Sequence, residues 1–155
     1  MSVASVPSAV SQSRPAARDS SLTAAFVPLG RALFSAIFLL AGFSHFNPGT
    51  IAYAHSAGVP FASFLVPASG VLAFLGGVSV LLGWRARLGA LLIIAFLVPV
   101  TLAMHAFWTV KDPMMGAMQF AMFMKNVGLA GGALLIAHFG AGPYSLDARA
   151  EAARG

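Results

Sequence analysis

No Asp, Glu, Lys or Arg occurs from Ala32 to Trp84, from Leu88 to Val110, from Pro113 to Met124, or from Asn126 to Leu146. A helix that crosses a bilayer needs about 20 predominantly apolar residues. The first stretch can hold two such helices and the second can hold one. The last two supply another once the lone Lys125 between them is admitted. A chain built this way reads as an all-α integral membrane protein with four spanning helices. Charged residues make up 8% of the whole, against about 25% in a soluble domain.

The absence of cysteine excludes a disulfide framework, a thiolate nucleophile, a CxxC redox pair and Cys-ligated iron–sulfur or zinc sites. The net charge of +5 does not mark a nucleic-acid binder, because the basic residues flank apolar runs instead of forming one basic face. No nucleotide motif, Ser/His/Asp triad or pair of carboxylates is present.

Residues 1–23 are rich in Ser, Ala and Pro and read as a disordered cytoplasmic tail. A cleavable signal ending at Ala52-Tyr53-Ala54 would be longer than such signals run. A transmembrane domain over 24–143 follows, with helices expected at 29–46, 61–84, 88–108 and 114–139, and a second cytoplasmic tail over 144–155. Asn47-Pro48-Gly49 supplies turn chemistry after the first helix, placing His55 in an outer loop. Pro67 and Pro99 lie inside the second and third segments and predict bends. Gly140 to Pro143 ends the fourth.

An up-and-down bundle of this kind places Arg14, Arg18, Arg31, Arg85, Arg87, Arg149 and Arg154 on one side, and only Lys111 in a loop on the other. Basic residues near helix ends favour the cytoplasm, so the asymmetry predicts an N-in, C-in protein of the inner membrane. Helices in lipid associate through small residues that let backbones approach. Gly128-x-x-x-Gly132, Ser69-x-x-x-Ala73-x-x-x-Gly77 and Ala32-x-x-x-Ala36 offer such faces, for packing within the chain or in a homo-oligomer.

Ionisable and amide side chains inside a membrane are costly and mark candidate sites. Here they are His45, His105, Gln119, Lys125 and Asn126. Gln119 and Asn126 are seven residues apart and share a helix face, and Lys125 beside Asn126 is expected to turn inward with it, the alternative being a lipid-facing stem that snorkels outward. His45 and His105 are the pair that could clamp a haem, and Met114, Met115, Met118, Met122 and Met124 near His105 form a thioether and imidazole group of the kind that holds Cu(I). Neither set has the spacing of a recognised site, so no metal is expected.

Several segments resemble the DoxX family of small bacterial membrane proteins. They are Gly30-Arg31-Ala32-Leu33-Phe34 with Ala41-Gly42-Phe43-Ser44-His45-Phe46, then Ala57-Gly58-Val59-Pro60, Gly70-Val71-Leu72 with Gly76-Gly77, Leu82-Gly83-Trp84-Arg85-Ala86-Arg87, His105-Ala106-Phe107-Trp108, and Phe123-Met124-Lys125-Asn126 with Gly131-Gly132. The resemblance implies a four-helix membrane protein that serves as an accessory or anchoring subunit of a quinone-linked complex of sulfur oxidation or oxidative stress, and not an enzyme on its own. Under that reading Lys125 would donate a hydrogen bond to a quinone oxygen, Asn126 would orient it and the histidines would exchange protons. The family often carries a glutamate where this chain has Ala73, which leaves Lys125 without that partner. A small transporter or channel component, or a purely structural scaffold, are the alternatives.

Overall fold

The computed structural model describes the backbone of residues 19–155 and the side chains from residue 23 onward. The only regular structure among these residues is helical, with no strand among them. They form α1 (Asp19–Ser44), α2 (Pro48–Ser56), α3 (Ala62–Leu82), α4 (Ala86–Met104), a 3-10 turn (Phe107–Thr109), α5 (Pro113–Phe139) and α6 (Leu146–Ala152). Four of the helical stretches are long and apolar enough to cross a membrane: Thr23–Ser44, Ala62–Leu82, Ala86–Thr109 and Pro113–Phe139.

The spanning helices pack in chain order, α1 on α3, α3 on α4 and α4 on α5, while α1 and α5 approach only locally. The core joins Phe38 of α1, Ala73 and Val80 of α3, Ala90, Ile93, Phe96 and Leu97 of α4, and Ala133 of α5. Glycines set the helix spacing. A Cβ on Gly76 would stand 2.8 Å from the Gly89 carbonyl oxygen, and one on Gly70 would stand 2.6 Å from the His45 Cβ, so α3 is held tightly between α4 and α1. The small-residue faces divide accordingly. Ala73 and Gly77 are buried, Ala32 and Ala36 are exposed, and the last motif is split between Gly132, which meets Phe34, and Gly128, which has nothing within 4 Å.

Three boundaries differ from expectation. The first helix begins at Asp19 instead of Leu29 and absorbs Pro28, and the expected tail otherwise lies outside the described residues. The loop after α1 holds a helix, because Asn47 caps α2 by accepting from Gly49 N while Pro48 occupies the first turn, where a missing N–H costs nothing. The C-terminal segment is also folded. Ser145 caps α6, whose Asp147 carboxylate accepts from Arg85 N at 2.7 Å and Ala86 N at 3.0 Å, capping α4.

The same end of the bundle is tied by Arg31. Its guanidinium is buried, donating from Nη1 to the Ala141 carbonyl at 2.6 Å and from Nη2 to the Tyr144 carbonyl at 2.7 Å. Gly83, in the left-handed region at φ +62, ends α3, and its carbonyl accepts from Asp147 N at 2.8 Å. A side chain there would collide with Ser145 and Arg31. Arg31 Nε and Ser35 Oγ, one turn apart, are buried with no partner among the described residues.

Candidate functional site

At the end opposite Arg31, the close of α1, the short α2, the start of α3 and the last turns of α4 surround a partly open cavity of about 280 Å³. Its walls are largely apolar, with Val66, Leu72, Pro99 and Met104 among them, and His45, Thr50 and Ser69 bring the polar atoms. Buried Ala54 of α2 packs on Ala62 and Val66 of α3, which makes α2 a cover for this region.

His45 stands at the end of α1, where its Nδ1 lies 2.6 Å from the Ala41 carbonyl. A carbonyl can only accept, so Nδ1 carries the proton and Nε2 is left as the ring position that either accepts or donates. The ring also meets Phe96 edge-on at 5.4 Å, and the absence of a Cβ on Gly70 makes room for it. Ser69 Oγ donates to the Val66 carbonyl at 2.8 Å. Pro99 has no N–H, so the carbonyl of Ala95 one turn earlier loses its usual donor at position 99, and both residues line the cavity. Irregular backbone of this kind is tolerated in lipid where it borders a cavity or a neighbouring helix. The cavity therefore presents an imidazole and two hydroxyl side chains in an apolar surround, the pattern of a small-molecule site.

The five sequence candidates do not converge. His105 Nδ1 donates to Gln119 Oε1 at 2.8 Å, joining the end of α4 to α5. Asn126 is buried between α4 and α5 and borders a smaller groove with Thr101 and Leu97. Lys125 is exposed on α5, its Nζ 3.6 Å from Met122 Sδ, so the expected inward turn does not occur. Residue 73 is fully buried in the core, so the family's glutamate would not face this lysine. Met114, Met115, Met118, Met122 and Met124 are likewise exposed, and the described residues contain no cluster of three or more His, Cys, Asp or Glu able to hold a metal. Of the five, only His45 lines the larger cavity. Sequence reading expected a cleft with His45 in it but not its cover by α2 or its lining by Thr50, Ser69 and Pro99, which follow from the helical character of Pro48 to Ser56.

The DoxX family profile matches residues 26–106, which takes in most of α1, all of α2 to α4 and every residue that lines this cavity. The chain belongs to the DoxX family. It is similar to inner membrane protein YqjF of Escherichia coli K12, 32% identical over 123 residues that make up 78% of this chain and 88% of that relative. It is also similar to inner membrane protein YphA of the same organism, 30% identical over 115 residues, or 73% and 81% of the two chains. No solved structure matches it. This DoxX-family chain is accordingly a multi-pass protein of the bacterial inner membrane, and α5 and α6 lie beyond the stretch that the family profile matches.

Proposed function

We propose that this protein is an accessory, membrane-anchoring subunit of a quinone-linked redox complex, and that the cavity beside His45 receives the quinone head group. The observation that carries the reading is the cavity, apolar on most of its wall, with His45 in its lining and the Nδ1 of that ring held by the Ala41 carbonyl. A volume of about 280 Å³ suits a single ring with its substituents, with an isoprenoid tail left among the lipids. A bound quinone supplies a carrier of two electrons and two protons. His45 Nε2 would accept a hydrogen bond from the hydroxyl of the reduced form or, protonated, donate one to the carbonyl of the oxidised form. The fixed Nδ1–H···O bond holds the ring in place for both. The arginine-rich end would face the cytoplasm, which puts the cavity in the outer half of the membrane.

The test is saturable binding of decylubiquinol to the protein in lipid nanodiscs. We expect His45→Phe, and Ala103→Leu, which fills the cavity, each to weaken binding at least about tenfold, or about 1.4 kcal/mol. His105→Ala should leave it unchanged. Binding that is absent in the natural sequence, or indifferent to both cavity changes, would sink the reading.

A further inference from the structure

Lys125 is 12 residues beyond Pro113 and 14 before Phe139 in the 27 residues of α5, or about 18 and 21 Å from its two ends at a rise of about 1.5 Å per residue. A helix centred in a hydrocarbon core about 30 Å thick holds this residue near the midplane. The lysine stem does not reach the headgroups from that depth. The ammonium is nonetheless exposed, and Met122 Sδ is its only hydrogen-bond partner among the described residues. An unpaired charge facing acyl chains is one of the least favourable arrangements a membrane protein can present.

The surroundings of Lys125 are those of an incomplete helix interface. Ala121, Lys125 and Gly128 fall on one face at helical spacing, and nothing lies within 4 Å of the position a Gly128 Cβ would take. Next to that face α5 lacks a close neighbour, since α1 reaches it only towards the arginine end, where Phe34 meets Gly132 and Arg31 meets Ala141. A second copy of this chain would not supply the missing counter-charge. The four acidic residues are Asp19, Asp112, Asp147 and Glu151, all at helix ends or beyond, and Asp112 and Asp147 already cap α5 and α4. Another copy would bring no carboxylate to the midplane.

We infer that the Ala121–Lys125–Gly128 face of α5 docks a spanning helix of a different membrane protein, one that carries an Asp or Glu at the depth of Lys125. Small residues at 121 and 128 let that helix approach closely, and the carboxylate accepts from the ammonium where no water competes. This inference rests on the anchoring half of the function proposed above and not on its cavity. Decylubiquinol binding by the purified protein should be indifferent to Lys125→Met, so the two readings can fail separately.

The experiment places a benzophenone amino acid at Met118, seven residues from Lys125 on the same face, in the full chain in its host's membranes. A second label at Leu75 on α3 serves as reference. After irradiation the adducts are digested and sequenced. The expected adduct at position 118 is a spanning segment of another protein with an Asp or Glu inside it, and its yield should fall at least about tenfold in Lys125→Met and persist in Lys125→Arg. Exchanging the charges, Lys125→Glu against the partner's acid changed to Lys, should restore it. Adducts with lipid alone, with a second copy of this chain, or with a segment lacking an acidic residue would overturn the inference even if Lys125→Met fails to accumulate. So would a yield indifferent to the charge at 125.

Discussion

Helices α3 and α5 are both long and apolar enough to span a membrane, yet 39% of an apolar 18-residue stretch of α3 is buried against 11% in α5. The difference lies in their neighbours. α3 sits between α1 and α4, with Gly70 and Gly76 cut to fit each side, so its environment is supplied by its own chain. α5 packs chiefly on α4 and the 3-10 turn, and a Cβ on Gly128 or Gly131 would meet nothing within 4 Å. Glycine in a helix costs about 0.8–1 kcal/mol relative to alanine in host peptides, and α3 recovers that cost by close packing within the chain. α5 does not, and it also carries the exposed Lys125. Its outward face is therefore shaped for something outside the chain.

The contrast can be broken at several points. Arg31→Met should have the largest effect, about 3 kcal/mol of destabilisation in a reversible denaturant titration, because it strips the donors from the Ala141 and Tyr144 carbonyls and frees the segment that links α5 to α6. Arg31→Lys should recover only part of it, since one ammonium does not reproduce the fork that serves both carbonyls. Gly76→Ala should cost about 1–3 kcal/mol, because the new methyl must push α3 from the Gly89 backbone. Gly131→Ala, with open space around it, should shift the same titration by less than about 1 kcal/mol and in the stabilising direction. A similar cost at both glycines would remove the distinction between the two helices. Asp147→Ala should cost about 1 kcal/mol through loss of the cap on α4, with local loss of hydrogen-exchange protection at Arg85 and Ala86.

The sequence made the four spans legible because charge exclusion acts over whole helices and needs no tertiary information. Local signals failed where they admit two meanings. Asn47-Pro48-Gly49 ends one helix and also begins the next, since Asn followed by Pro is both a turn and a cap with a proline in the first turn. The Arg31 ties and the Asp147 cap join residues more than 60 positions apart, and no local pattern announces them. The candidate polar residues were identifiable by type but not by direction. Lys125 and Asn126 are adjacent, and about 100° of helix rotation separates a buried amide from an exposed ammonium. Which of the two turns inward depends on where α4 stands, and only the packed bundle fixes that.

The chain has no cysteine, so a single nitroxide can be attached at Met118→Cys on α5 or Leu75→Cys on α3 without altering other sites. Oxygen-collision spectroscopy would compare each label in the host's membranes with the same label on purified protein in nanodiscs. The account predicts a label at 118 that is shielded and slowed in the native membrane and freely oxygen-accessible in nanodiscs, with the label at 75 lipid-exposed in both. Equal, lipid-like accessibility at 118 in both settings would contradict it, and would mean that the open face of α5 is finished as it stands.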